Sequence, residues 1–556
     1  MVAADTKAEP ASHPPEEKPE NLAANSPSTT SKAKKKKKQA AKPAPTLRPY
    51  YVQYMKDYPV ELRSNKAKGR HAVAAADLPK GTTVCHEKGT AFVVRSDYLD
   101  QQCHVCLASL TTKLMCSDCQ KAFYCSQTCL ERDDTHTLVC SAMAQVDAIA
   151  RSTDVEPDFL RLIALLLARR ARGGVQEEEP VPNAPTPYWC TEDLVSHRSK
   201  ADPGFLEVFG EAAPRLLSEL PEQAQIPVDE IITLACRINS NAHGLGDNEA
   251  RNTDVALGLF PVGAMFFNHA CNPTCAFVGT ENGKLAFRTI RDVGQGEELT
   301  VSYIDVYAPR DERRNTLLGS KHFWCKCKRC TTPMDESVDR FLQSVTCDQC
   351  GEDVYVIPPA PIDLVVQGKS SLDEPASEYK CAKCGHTSPS EDVASRVKQA
   401  ESQYMEAMKA IRRERNYRRA RAKLEPLVKK ETKPGDLHPQ NAVRLNASIP
   451  LMNCLRHEED LTAAIDVNKA ILDFMERNAR QNLPENTPEV SDFWQNLGEM
   501  CDMMAAKYQA LGSGPLVKRW KKEAQTAFAN TIRIRSVVFG KDHPKTKLAQ
   551  RLMTRV

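Results

Sequence analysis

The sequence predicts an α+β protein of several domains in which bound metal helps to drive folding. Three observations lead there. Cysteine is abundant, at 21 residues, and most of it falls in closely spaced groups. Strand-like patterns occupy two separated blocks, within 72–95 and 284–305. Helical spacing occupies 141–245 and everything after about residue 390. At 556 residues the chain also exceeds what a single core usually holds.

Composition excludes several classes. The formal net charge of +3 gives no global reason to expect a nucleic-acid coat. The chain opens MVAADTKAEPASHPPEEKPE, which has no apolar segment of the kind that directs export. The most apolar run, FLRLIALLLA (159–168), contains Arg161 and falls well short of the roughly 20 residues needed to span a bilayer. It reads as a buried helix, and no membrane is expected. Many cysteines without an export signal point to a reducing compartment, cytoplasm or nucleus, where metal binding is favoured over disulfides. Residues 1–45, rich in Pro, Ala, Ser and Lys, are expected to be disordered. Their basic run SKAKKKKKQAAK (31–42) reads as a nuclear import tag, an RNA tether or a solvated tail, and outside it no nucleic acid is expected.

Globular composition begins at Leu47. Residues 72–95 mix β-branched residues with a PKG turn, and KLAFRTIRDV (284–293) and ELTVSYID (298–305) are strand patterns joined by the turn GQGE. The loop 175–187 interrupts the helical region 141–245. Beyond residue 390, Val393, Val397, Ala400, Tyr404, Met408 and Ile411 fall on one helix face. GDLHPQNAVRL (435–445) and GKDHPKTKLAQRL (540–552) echo one another, with NLPENTPEVSDFW (482–494) between them. Pro439, Pro488 and Pro544 are each expected just inside a helix, where a missing N–H costs little. A degenerate tetratricopeptide-type array and an ordinary helical cap both fit this pattern.

The cysteine clusters carry the sharpest information. Cys103, Cys106, Cys116, Cys119, Cys125, Cys129, His136 and Cys140 supply eight ligands, enough for two tetrahedral Zn²⁺ sites. So short a module has little core, and metal binding should itself drive its folding. HFWCKCKRC (322–330) offers Cys325, Cys327 and Cys330, where zinc usually takes four ligands. Cys271, in FFNHACNPTC (267–276), is the candidate fourth; a nucleophilic Cys–His pair is the alternative reading of that stretch. Cys347, Cys350, Cys381 and Cys384 form a zinc-ribbon pattern, with Gly351 and Gly385 after each pair. About four zinc ions are therefore expected. Cys85, Cys190, Cys236, Cys275, Cys454 and Cys501 have no ligand spacing and read as buried thiols.

Taken together, NHACNP (268–273), GEELTVSY (296–303) and FWCKCKRC resemble the linked motifs of SET-and-MYND protein lysine methyltransferases, over roughly residues 60–335. The longer, tetratricopeptide-bearing members of that family also fit the ribbon and the helical tail. The resemblance implies a SET-domain β-fold with an inserted MYND zinc finger and a helical insert. A post-SET zinc segment, a zinc ribbon and a C-terminal α-helical, tetratricopeptide-like domain would follow. The implied division is 1–45 tail, 46–102 SET N-terminal part, 103–140 finger, 141–245 helical insert and 246–305 SET core. Beyond these come 306–335 post-SET segment, 336–390 ribbon and 391–556 helical domain.

The implied reaction moves a methyl from S-adenosylmethionine to a protein lysine, and the finger would take proline-rich or other peptide partners. Tyr303 is implied as the catalytic residue, where the lysine channel meets the cofactor pocket. Asn268 and His269 would hold the cofactor, Phe323 would pack on its adenine, and Asn241 matches the cofactor-contacting Asn of the helical insert. KGRHAVA (68–74) matches the N-terminal glycine loop, so Lys68, Gly69, Arg70 and His71 would border the cofactor. The chain departs from the family pattern at four places. His71 replaces a glycine, Thr274 replaces an Asn, Lys321 stands where an aromatic usually walls the channel, and one extra residue lies between Pro261 and Asn268. Two readings follow: an active methyltransferase, supported by Tyr303, Asn268 and His269, or a non-catalytic SET/MYND adaptor, supported by Lys321 and Thr274.

Overall fold

The computed structural model describes residues 46–173, 179–246, 254–359, 376–479, 481 and 483–556. The basic tail and part of the loop 175–187 lie outside these residues. Strands are short and gathered into small sheets. Val60–Asn65 and Gly69–Ala74 form an antiparallel hairpin. Its turn is closed by the Asn65 side chain, which accepts from the Ala67 and Lys68 amides at 3.0 and 2.8 Å. Gly69, at φ 69°, takes the left-handed conformation that the turn requires. Cys275–Thr280, Lys284–Thr289 and Thr83–Lys88 make a three-stranded antiparallel sheet. Its first turn uses Asn282 and Gly283 at φ 63° and 65°, the Asn-Gly solution to a tight hairpin. Ala91–Val94, Asp254–Leu259 and Ala242–Gly246 make a second sheet.

Two expectations are corrected here. The helical reading of 141–245 ends at Asn241, because Ala242–Gly246 is a strand paired with Asp254–Leu259. Its AHGLG sequence puts two glycines, poor helix formers, in five residues. The strand expected over 298–305 is reduced to Thr300–Val301. That segment changes partners as it runs. Glu297 and Leu299 exchange backbone hydrogen bonds with Ala74 and Ala72, whereas Thr300–Val301 pairs in parallel with Asn268–His269. Thr274, a departure from the family pattern, fastens this junction: its buried hydroxyl accepts the Thr300 amide at 2.7 Å.

The apolar run 159–168 lies in the helix Pro157–Arg172, which begins with Pro at its first position and the Glu156 side chain capping the Phe159 amide. It packs on the helix His136–Thr153 and the strand Ala91–Val94. Arg161 is buried within it and pairs with Asp158. Among the described residues no helix is long and apolar enough to cross a membrane.

From Ser390 onward the chain is a succession of helices: Ser390–Arg412, Tyr417–Val428, Ala442–His457, Leu461–Ala479, Pro488–Ala510, Gly514–Val538 and Pro544–Arg555. Each packs on the next. Pro488 and Pro544 occupy the first helical position as expected. Pro439 does not; Asn441 caps that helix, so Pro439 stays in the preceding turn. The helical region covers the outer face of the sheet 275–289. Asn486 donates to the Ile290 carbonyl at 2.9 Å and Arg288 to the Val537 carbonyl at 3.0 Å.

A buried charge cluster joins the middle of the chain. Asp339, fully buried, accepts from Arg310 at 2.9 Å, Arg313 at 2.9 and 3.1 Å, and Arg329 at 2.7 and 3.0 Å. Despite the burial, the three guanidiniums hold its carboxyl down at about 2. Removing one partner from such a cluster leaves uncompensated buried charge. Asp339→Asn should therefore lower unfolding free energy by about 3–5 kcal/mol in chemical denaturation, and a loss within error of zero would show that the cluster is dispensable.

Candidate active site and metal centres

Four groups of ligand atoms converge, each with its members within 4.8 Å of one another. In the finger the sites interleave: Cys103, Cys106, Cys125 and Cys129 form one, and Cys116, Cys119, His136 and Cys140 the other. The strand pair Leu114–Met115 and Phe123–Tyr124 folds the segment back to allow this. The ribbon cysteines Cys347, Cys350, Cys381 and Cys384 gather as the spacing predicts. Cys271 joins Cys325, Cys327 and Cys330. The six remaining cysteines are all buried.

The donor sets suit Zn²⁺, and the surroundings of the third group test that fit. Arg310, Arg313 and Arg329 outnumber their single buried carboxylate, leaving excess positive charge beside the sulfurs. Arg313 approaches Cys330 Sγ at 3.7 Å, and Arg314, also buried, donates to the Cys330 carbonyl at 2.8 Å. Four neutral thiols would leave that charge unbalanced. A zinc ion with four thiolates carries two negative charges and offsets it.

The Asn268–His269 turn is built from long-range contacts. The short helix Pro261–Phe266 delivers it, and buried Glu87 holds that helix by accepting the Val262 and Gly263 amides at 3.1 and 2.8 Å. The Thr186 hydroxyl also donates to Glu87, at 2.8 Å. Asn268 Nδ2 lies within hydrogen-bond distance of the Lys68 and Arg70 carbonyls at 3.2 and 3.4 Å, and of Glu298 Oε1 at 3.2 Å. Lys68 reaches the other Glu298 oxygen at 2.6 Å. His71 is buried, with its ring Nδ1 3.1 Å from the Gly69 carbonyl, and so braces the loop from inside.

Tyr303 sits at the crossing of these segments. Its amide donates to His269 Nδ1 at 3.1 Å, which leaves the proton on Nε2, 3.2 Å from Cys271 Sγ. The His269 ring therefore connects Tyr303 to the cysteine cluster. The Tyr303 hydroxyl donates to the Phe267 carbonyl at 2.8 Å, and burial, aided by Glu298, pushes its pKa up, so it stays a phenol. Phe323, half-buried, lies 6.1 Å from the His269 ring. Lys321 places its ammonium 5.9 Å from the Tyr303 ring centre and donates to the Ser240 carbonyl at 2.8 Å. Burial pushes its pKa down. Neighbouring Asn241 donates to the Val195 and Arg237 carbonyls at 2.9 and 2.8 Å, and Arg70 reaches the Asp193 carbonyl at 2.5 Å.

These contacts form a closed circuit. It runs from the loop 68–70 through Asp193–Val195, Asn241, Ser240, Lys321 and Tyr303 to His269, Asn268 and back to the loop. Sequence reasoning missed Glu87 and Glu298. Glu298 lies inside the GEEL motif and was open to notice, whereas nothing local marks Glu87.

A family model described as SET domain matches residues 69–304. The chain carries a SET domain. The SET-bearing chain is similar to the histone-lysine N-methyltransferase ASHR1 of Arabidopsis thaliana, at 25% identity over 53% of this chain and 60% of that protein. It is also similar to the N-lysine methyltransferase SMYD2 of Sus scrofa, at 26% over 49% and 60%. A third relative is the histone-lysine N-methyltransferase SMYD3 of Homo sapiens, at 25% over 51% and 64%. The chain thus spans about three-fifths of the length of these relatives. A solved SET domain bound to lysine and AdoHcy overlays with a TM-score of 0.28 and 10% identity across 92% of this chain and 91% of that one. Agreement at that level carries no weight.

Purified protein should contain about four zinc ions per chain, and Cys271→Ser about three, by elemental analysis. Full zinc retention in the variant would break the link between the turn and the segment 325–330. Glu87 gives a separate test. Burial, opposed by its hydrogen bonds, raises it to about 7 from an ordinary value of 4.5. The folded chain then holds this proton more tightly than the unfolded one. The resulting stability is complete below the unfolded pKa and is lost as pH rises through the folded value. Between about pH 5 and about pH 8, melting temperature should fall more steeply for the native chain than for Glu87→Gln. Parallel pH profiles would mean that Glu87 is ionised throughout.

Proposed function

We propose that this chain is an S-adenosylmethionine-dependent protein-lysine N-methyltransferase. The observation that carries the reading is the circuit of contacts through Tyr303, which joins the loop 68–70, Asn241 and the Asn268–His269 turn. The surroundings suit the cofactor. A Cβ at Gly69 would meet nothing within 4 Å, so the loop backbone faces open space. Phe323 offers a half-buried aromatic face beside His269. When bound, S-adenosylmethionine supplies an electrophilic methyl on a sulfonium.

The chain's own residues would do the rest. Lys68, Gly69, Arg70, Asn241, Asn268 and Phe323 would border the cofactor, and His71 and His269 would brace that border. A free lysine, with a pKa near 10.4, is protonated and cannot attack. A buried channel disfavours the ammonium, and the lowered pKa of Lys321 shows that effect beside Tyr303. The Tyr303 oxygen, held by the Phe267 carbonyl, keeps lone pairs with which to orient an incoming amine. Holding that amine in line with the methyl is the larger part of such catalysis. The relatives' names speak of lysine and histone-lysine transfer, so a protein substrate belongs to this proposal, as do peptide partners at the finger.

Lys321 favours the second reading, an adaptor without turnover, because its cation stands beside Tyr303. One assay separates the two: transfer of labelled methyl to proteins of a cell extract. Tyr303→Phe should keep the fold yet lower transfer on the order of 10²–10³-fold. Lys321→Tyr should raise transfer if the ammonium obstructs the substrate. Equal labelling by native protein and Tyr303→Phe would remove the methyltransferase reading.

A further inference from the structure

A cavity of about 280 Å³ lies at the seam between the cysteine-rich finger and the body of the molecule, and shares no residue with the circuit around Tyr303. The turn Lys88–Thr90 and the following strand form one wall. The finger contributes Arg132–His136, and the helix Pro157–Arg172 contributes Arg161 and Arg169. Among the charged side chains on its walls, Lys88, Lys121, Arg132, Arg161 and Arg169 face only Asp133 and Asp134.

The compensation is incomplete. Lys121 pairs with Asp147 at 2.5 Å, and Arg161 with Asp158 and, at 3.7 Å, Asp147. Asp133 is committed inside the finger, where it accepts the Tyr124 hydroxyl at 2.9 Å, the Thr135 hydroxyl at 3.1 Å and the His136 amide at 3.2 Å. Among the described residues the Asp134 carboxylate has one ion pair, with Arg169 at 3.3 Å. The Lys88 amine and the Arg132 guanidinium have no hydrogen bond or ion pair among the described residues. The Lys88 amine is half-buried and its pKa is pushed down, first by burial and then by Arg169, Arg132 and Lys284, with Asp134 opposing. The Lys284 amine donates to the neutral Asn183 side chain at 2.7 Å.

A second observation is independent of this charge. Thr90 and Arg161, 1% and 3% exposed, each keep a buried polar atom with no hydrogen-bond partner among the described residues, Thr90 Oγ1 and Arg161 Nε. Buried polar atoms are ordinarily satisfied. Both residues line the cavity, and these two polar atoms lie sealed beneath a wall on which surplus cations converge.

We propose that this seam binds a phosphate monoester, with Lys88, Arg132 and Arg169 neutralising the dianion. The volume lies at the lower edge of small-ligand pockets, which suits one phosphate and its linker rather than a nucleotide. Such a ligand would tie the finger to the body, since its contacts come from both. The phosphate has two sources, a phosphorylated side chain of another protein or a small free phosphate.

The test uses the full, zinc-loaded chain and calorimetric titration at fixed ionic strength. The probes are inorganic phosphate, a phosphoserine peptide and its unphosphorylated form. Saturable one-to-one binding of the phosphorylated probes is expected, and Lys88→Gln and Arg132→Gln should each weaken it about tenfold or more, the scale of one charge-assisted contact. Both side chains are uncommitted, and unchanged zinc content and circular dichroism will confirm that the variants fold. Tighter binding of the phosphopeptide than of inorganic phosphate assigns the source to a protein; equal or weaker binding assigns it to a free phosphate. The proposal is overturned by the absence of saturable binding, by equal affinity in the variants, or by equal binding of the unphosphorylated peptide.

Discussion

The Asp339 carboxylate, buried among Arg310, Arg313 and Arg329, is the contact on which the functional half of the molecule depends. Burying a guanidinium is costly unless its charge and its donors are both met. Asp339 meets part of that demand, and the sulfur cluster of Cys271, Cys325, Cys327 and Cys330 lies where it can meet more. Arg329 continues the chain of contacts by donating to the Cys271 and Val306 carbonyls at 3.0 and 2.6 Å. The hub therefore touches the sulfur of Cys330 and fixes the backbone of a second ligand cysteine, Cys271. Cys271 ends the turn carrying Asn268 and His269.

From Cys271 the constraint passes to Tyr303 through the His269 ring. One ring nitrogen takes the Tyr303 amide while the other faces sulfur, so a small displacement of the cluster would carry the tyrosine with it. The opposite side is held by carboxylates: Glu87 fixes the helix before the turn, and Glu298 joins the turn to Lys68. A site braced in this way has little freedom to rearrange. It suits a reaction in which alignment supplies most of the acceleration. Lys321 belongs to the same framework, since its ammonium meets a carbonyl at the C-terminal end of the helix Val228–Asn241, where a cation is favoured.

Sequence spacing determined the ligand cysteines, because two thiolates a few residues apart have few partners other than a metal. It also determined the helical register after residue 390, since Val393, Ala400 and Met408 are buried as their periodicity requires. The motif residues Asn268, His269, Tyr303 and Phe323 were legible only through their order along the chain. What the tertiary structure decided was pairing. The interleaved division of the finger ligands, the capture of the Val262 and Gly263 amides by Glu87 and the anchoring of Lys321 on Ser240 each join positions that no local pattern relates. The strand Ala242–Gly246 was unreadable for the same reason: its partner Asp254–Leu259 supplies the ladder that its own residues do not encode. Local composition restricts what a segment can become, but a buried charge or an unpaired backbone amide is satisfied only when the folded chain brings its partner within reach.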